Sequence, residues 1–159
     1  MTQQERAQIQ QELHEAQRLQ GAYSTVYASH IAGGLGINAI DLECLDLLQI
    51  HGPLPTGQLA AKAGLRTATM TSILDRLEKA GFVRRDRSGK DRRVVVIHIE
   101  ARAIQEIGPL FGHIAAHMVK VEEQFSDDEL AIVSRYAKLA ASAAIKAIDD
   151  LRRLPRTNR

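Results

Sequence analysis

Met70-Thr71-Ser72-Ile73-Leu74-Asp75-Arg76-Leu77-Glu78-Lys79-Ala80-Gly81 runs directly into Phe82-Val83-Arg84-Arg85-Asp86-Arg87-Ser88-Gly89-Lys90-Asp91-Arg92-Arg93, and the two halves follow different periods. In the first half Met70, Ile73, Leu74 and Leu77 fall at i, i+3, i+4 and i+7, which predicts a helix with one apolar stripe, closed by Gly81. Its opposite face carries Ala68, Thr71, Ser72, Asp75, Arg76 and Lys79, with Thr69 at the flank. Thr67 stands where an N-cap would add about 1 kcal/mol. Upstream, the stretch from Thr56 to Leu65 reads as a helix of about two turns, with Leu59, Ala60 and Ala63 inward and Gly64 permitting a tight turn. The two helices form a helix-turn-helix. In the second half Phe82 and Val83 begin an extended run, a turn is predicted around Ser88-Gly89, and Val94-Val95-Val96-Ile97-His98-Ile99 is β-branched almost throughout. That is a hairpin, and a hairpin after a helix-turn-helix is a winged helix.

The hairpin is also where the charge lies. From Arg84 to Arg93 six cations stand against two acids, a local +4 in a chain whose formal net charge is +2, so the rest sums to −2. Such concentration is the footprint of a surface that meets phosphate. A solvated basic loop is the plainer reading, but it does not explain why the cluster directly follows the helix pair. In a winged helix the second helix can enter the major groove while the wing reaches the minor groove. Thr67, Ala68, Thr69, Thr71, Ser72 and Arg76 are then the recognition-helix contacts, and Arg87, Lys90 and Arg92 the wing contacts. No long bidentate base reader stands among Ala68, Thr69, Thr71 and Ser72, so groove shape is expected to carry much of the specificity. Arg76 and Lys79 are read as meeting phosphate or pairing with Asp75, and Asp75 and Lys79 have the spacing of an i,i+4 ion pair.

Composition narrows the function classes. The chain has 159 residues, 45% of them hydrophobic, enough for one real core. With 4% aromatic residues and no Trp, its helices must pack through aliphatic side chains. The Gln- and Glu-rich start does not look like a secretory signal. Residues 19–40 lack Asp, Glu, Lys and Arg, but Gly21, Gly33, Gly34, Gly36 and many polar groups argue against a membrane span. One Cys cannot form an internal disulfide, and a cytoplasmic location is the simplest expectation. Cys44 lies among Leu45, Leu47 and Leu48 and reads as a core thiol, with an oxidant-sensing regulator as the alternative. His113 and His117 are spaced i,i+4 but lack the Glu of a metalloprotease helix, so no metal is assigned. No nucleophile elbow, phosphate loop or convincing carboxylate pair is found. The chain is read as a non-enzyme without a cofactor, and a protein-interaction module is the competing class.

The two ends supply apolar stripes without obvious partners. From Gln4 to His30, Ile9, Leu13, Ala16, Leu19, Tyr23, Val26, Tyr27 and His30 recur at helical spacing, with Gly33-Gly34 as the stop. A second helix around Cys44 ends at His51-Gly52-Pro53. Past the wing, Ile104, Ile107, Phe111, Ile114, Met118, Val121 and Phe125 alternate by three and four like a coiled-coil seam, with Pro109 predicting a kink. Ser126-Asp127-Asp128-Glu129 is a capping box opening a final helix to about Leu151. The small residues Ala137, Ala140, Ala141, Ala143, Ala144 and Ala147 would let a neighbour approach closely. A self-contained bundle would be monomeric, whereas interleaving the ends of two copies buries both stripes at roughly 25 cal/mol per Å². We therefore expect a homodimer and a pseudopalindromic operator in double-stranded DNA. The architecture is mainly α with a small β-hairpin wing: a dimerisation helix at 1–35, a winged helix-turn-helix at 36–100, and dimerisation helices at 101–159.

The strings Gly52-Pro53-Leu54-Pro55-Thr56, Leu59-Ala60, Leu74 to Arg85 and Asp91-Arg92-Arg93 resemble the MarR family of bacterial transcription regulators. Gly36 to Leu42 and Phe125 to Leu130 are similar to one branch of it, so the resemblance spans nearly the whole chain and is most specific over 52–93. It implies a homodimer on duplex DNA, acting as a repressor relieved by a small organic effector or by oxidation. It further implies that Asp91 and Arg93 steady the wing, that a redox branch would carry its Cys in the first helix, where this chain has none, and that an effector pocket lies where end helices meet the winged helix, with Tyr23, Tyr27, His30, His51 and Phe111 as candidates. The chain departs from the pattern at Ser72, where many members carry Arg, at Ile99-Glu100 in place of Leu-Thr, and at Ser88-Gly89 in place of Asp-Pro.

Overall fold

The computed structural model describes residues 1–87 and 94–154, which form two compact units, Met1–Asp46 and Leu47 onward. The boundary falls inside a helix. In chain order the elements are α1 (Gln3–Gly34), α2 (Ala39–His51), β1 (Leu54–Pro55), α3 (Thr56–Lys62), α4 (Thr67–Lys79), β2 (Val83–Asp86), β3 (Val96–Ile99), α5 (Ala101–Glu122) and α6 (Asp127–Arg153).

In the first unit α1 opens on a capping box. The Thr2 hydroxyl accepts from the Glu5 N–H at 3.2 Å while the Glu5 carboxylate accepts from the Thr2 N–H at 2.7 Å. The helix is exposed along most of its length and buries only Ala28, Ile31 and Ala32 near its end. The expected stop at Gly33-Gly34 is displaced: both glycines are helical, and the left-handed residue is Gly36, at φ 69°. Asp41 is buried, and its carboxylate accepts from the Asn38 N–H at 3.1 Å, satisfying a donor at the start of α2 and complementing its dipole. Ile37, Leu42, Cys44 and Leu45 are buried as well.

Asp46 is placed less favourably. Burial, and then the charge of Glu43, push its carboxyl above the ordinary 3.8. The folded state thus binds this proton more tightly than the unfolded chain, and stability falls as pH rises from 3.8 through the raised value. Asp46→Asn is expected to raise the melting temperature at pH 7, because it removes a charge that burial disfavours. At a pH below the ordinary carboxylate value the gain should vanish. An equal gain at both pH values, read by thermal denaturation, would refute the assignment.

The second unit holds the winged helix. α3 is shorter than the predicted span, ending at Lys62, because Gly64 turns left-handed at φ 73° and the Leu65 N–H reaches back to the Ala60 carbonyl at 2.9 Å. A Cβ at Gly64 would also lie 3.1 Å from Ile148 Cγ2, so this position is constrained twice. In α4 the predicted stripe is realised, with Met70, Ile73, Leu74 and Leu77 all at 0% exposure. Each such side chain contributes about 1.5–3 kcal/mol by leaving water. The predicted cap is not realised: Arg66 occupies the N-cap position without a side-chain hydrogen bond, and Thr67 is the first helical residue. Gly81, at φ 75°, ends the helix as expected, with the Phe82 N–H bonded to the Leu77 carbonyl at 2.9 Å.

β2 and β3 pair antiparallel with Val83 opposite Ile99 and Asp86 opposite Val96, which is the predicted hairpin. A third strand joins them. β1 pairs with β3, Leu54 opposite Ile97, giving the order β1-β3-β2. Two residues show no period, and Pro55 argues against a central strand, yet at an edge Pro is tolerated. The Thr56 N–H then donates to the Val95 carbonyl at 3.0 Å, anchoring α3 to the sheet.

α5 runs unbroken through Pro109 and buries only Ala103 and Ile107, in its first two turns. α6 opens on the expected Ser126–Glu129 capping box, whose Ser126 N–H and hydroxyl hold the Glu129 carboxyl below the usual range. No residue of α6 is buried. The predicted seam therefore continues as exposed surface, with Ile114, Met118, Val121 and Phe125 about 40% open to solvent.

Candidate nucleic-acid interface

The buried stripe of α4 forces its other side outward, and Thr67, Ala68, Thr69, Thr71, Ser72, Asp75, Arg76 and Lys79 are all exposed. The Thr71 hydroxyl donates to the Thr67 carbonyl at 3.0 Å and the Ser72 hydroxyl to the Ala68 carbonyl at 3.4 Å. With their protons turned into the helix, both groups offer acceptor lone pairs outward, and Thr71 adds a methyl group. That chemistry suits adenine and cytosine amino groups and thymine methyls better than guanine.

Asp75 does not pair with Lys79. Its carboxylate lies 2.6 Å from Arg85 Nη2, while Arg85 Nη1 lies 2.5 Å from the Glu78 carboxylate. Arg85 Nη2 also lies 3.4 Å from the Thr71 carbonyl. The Gly81 turn brings β2 back alongside α4, so a residue seven and ten positions away competes successfully with the i,i+4 lysine. Partial burial lowers the proton affinity of the Arg85 guanidinium, but the hydrogen bond it donates to Asp75 and the charge of Glu78 raise it above its ordinary value. Arg84 is also committed, at 3.1 Å from Glu100 and 3.9 Å from Asp86, and His98 Nε2 lies 3.7 Å from Asp86. Two of the six ribbon cations thus serve the scaffold. Arg87 is exposed at the end of β2. Lys90, Asp91, Arg92 and Arg93, and the Ser88-Gly89 tip, lie outside the described residues.

A cleft of about 560 Å³ opens between α4 and the sheet, lined among others by Pro55, Thr56, Thr71, Asp75, Arg85 and Arg87. None of the five residues read as an effector pocket lines it. Tyr23 and His30 are exposed on α1, where the His30 ring Nδ1 lies 2.9 Å from the Val26 carbonyl, and Tyr27 between them is half-buried. His51 is exposed at the end of α2, and Phe111 is half-buried on α5. Cys44 is not part of a disulfide and is buried at 0% exposure. Among the described residues no group of three or more His, Cys, Asp or Glu could hold a metal, and no helix is long and apolar enough to cross a membrane.

The helix pair and the strands β1 and β2 fall within residues 37–95, which match the model of the MarR family. Over 151 residues, covering 95% of this chain and 98% of the relative, the sequence is 28% identical to the HTH-type transcriptional regulator YcgE of Bacillus subtilis. Among solved structures, the fold is similar to that of MarR, with a TM-score of 0.63, 20% identity, and 87% of this chain and 94% of that one covered. It is also similar to overoxidized AbfR bound to DNA, with a TM-score of 0.54, 18% identity, and 89% and 99% covered.

Proposed function

From the match of residues 37–95 to the MarR family model we propose that the chain is a helix-turn-helix transcriptional regulator, a homodimeric repressor binding a pseudopalindromic operator and released by a small organic effector. The observation that carries the reading is the polarity of α4: its four large apolar residues are fully buried, and its short hydroxyl and methyl groups stand outward, with Arg87 exposed at the end of the neighbouring strand. A helix so divided can enter a major groove without steric conflict, and the strand and hairpin can follow the backbone. The similar AbfR structure was solved on DNA, which supports the same use of the fold.

Dimerisation is supported by the apolar surface of α5 and α6, which the single chain leaves in water. In this reading residues 36–100 bind DNA, and residues 1–35 and 101–159 join the copies. Repression is the simplest regulatory outcome, since a dimer seated on a promoter excludes other proteins from it.

Salt-titrated binding to duplex DNA tests the reading. Log affinity is expected to fall linearly with log salt, with a slope of about −0.9 per phosphate neutralised. Arg87→Ala should make the slope shallower by about one unit and weaken binding to all sequences, whereas Ser72→Ala should alter preference at one or two base pairs only. Weak, salt-insensitive binding by the unaltered protein would favour a protein-interaction module instead.

A further inference from the structure

Within α4 the charges cancel, because Asp75 and Glu78 match Arg76 and Lys79. A helix that lies against phosphate is hindered by its own acids, and these two are well exposed, with 62% and 42% of their side chains open. Arg85 is the more enclosed partner at 21%. Its three contacts, Thr71, Asp75 and Glu78, are spaced i, i+4 and i+7, so one planar guanidinium spans two turns along one edge of the helix. A lysine could not bridge all three, since its ammonium is a single point of charge. The anchoring strand is itself held in register by β3 and by the Gly81 turn, which keeps the guanidinium in place before any ligand arrives.

We propose that Arg85 is a positioning residue for DNA recognition: it ties α4 to the first strand of the wing and offsets one of the two acidic charges of α4, giving the reading face a net charge of +1 that the helix alone lacks. The proposal rests on α4 being the recognition helix. It assigns Arg85 no contact with DNA, and thereby separates it from Arg87 two residues on.

The test compares four proteins by salt-titrated binding to one duplex bearing a selected operator, with circular dichroism to verify helical content. Arg85→Met leaves both acids without their cationic partner and is expected to weaken binding at low salt by about tenfold to a hundredfold and to make the salt slope shallower. The double variant Asp75→Asn/Glu78→Gln keeps an oxygen acceptor for each Arg85 hydrogen bond and frees its charge, and is expected to bind about threefold or more tightly, with a steeper slope. Arg85→Lys, which keeps the charge and loses the fork, should retain the parental slope at reduced affinity. A purely structural link would instead make the double variant weaker at an unchanged slope, and that result overturns the proposal even if Arg85→Met does not fold. Undiminished binding by a folded Arg85→Met protein overturns it too. If the unaltered protein itself shows no salt-dependent binding, the recognition-helix reading falls, and this inference with it.

Discussion

Glutamate at both Ile132 and Leu139 is expected to give a folded monomer whose affinity for an operator is lower by about two orders of magnitude or more, the range lost when two linked contacts become one. The expectation comes from what α6 lacks. It buries no residue, while Ile132 and Leu139 are 66% and 62% exposed and lie seven positions apart on one side of the helix. In a single chain these side chains touch mainly water, so replacing them removes little folding free energy. In a dimer of the proposed kind they enter an apolar interface, where an unpaired carboxylate is strongly disfavoured. Sedimentation and light scattering should show the change in mass, and circular dichroism should show helical content retained. A variant that stays dimeric at micromolar concentration would place the interface elsewhere. One that becomes monomeric yet binds the full operator as tightly as before would separate dimerisation from recognition.

Phe82→Ala is expected to cost about 3–5 kcal/mol, which for a protein of ordinary stability is a large part of the total. Phe82 is 2% exposed and sits where α4 ends, β2 begins and α5 starts. Its N–H donates to the Leu77 carbonyl, its carbonyl accepts from the Glu100 N–H at 2.9 Å, and the Arg102 guanidinium lies over its ring at 5.7 Å from the centroid. The backbone bonds survive the substitution, but the ring leaves a cavity whose walls belong to several elements and cannot close together. Urea unfolding should show a lowered midpoint with little change in slope. Phe125→Ala is the control: with 42% of that residue exposed, it should cost far less in the monomer. Equal losses for the two would mean that the core does not centre on this junction.

Much of this molecule was legible residue by residue. Met70, Ile73, Leu74 and Leu77 announce the buried side of α4 because helical period and burial coincide there. The Ser126–Glu129 box marks the start of α6 by the same local logic, and Thr2–Glu5 carries an equivalent signal that a helix begun at Gln4 overlooks. Thr67 was a reasonable cap by residue type, yet the backbone turns one residue earlier, at Arg66, and no side chain fills the role. The exposed face of α4 followed from its buried one. Its electrostatics did not: Asp75 had a plausible partner in Lys79, and only the path of β2 shows that Arg85 takes its place.

The difference has a physical origin. Helix periods, turn glycines and capping boxes arise from interactions within a few residues, so the order of helices and strands, the site of each turn and the polar face of α4 are written in neighbouring positions. Partners brought together across a turn or a sheet depend on distances that no local pattern encodes. The edge strand Leu54–Pro55 exists because β3 offers it hydrogen bonds, and the arginine latch exists because Gly81 folds β2 back against α4. The apolar seam of α5 and α6 was visible as a pattern, but only the tertiary structure shows that the single chain leaves most of it uncovered, having too few elements of its own to bury it.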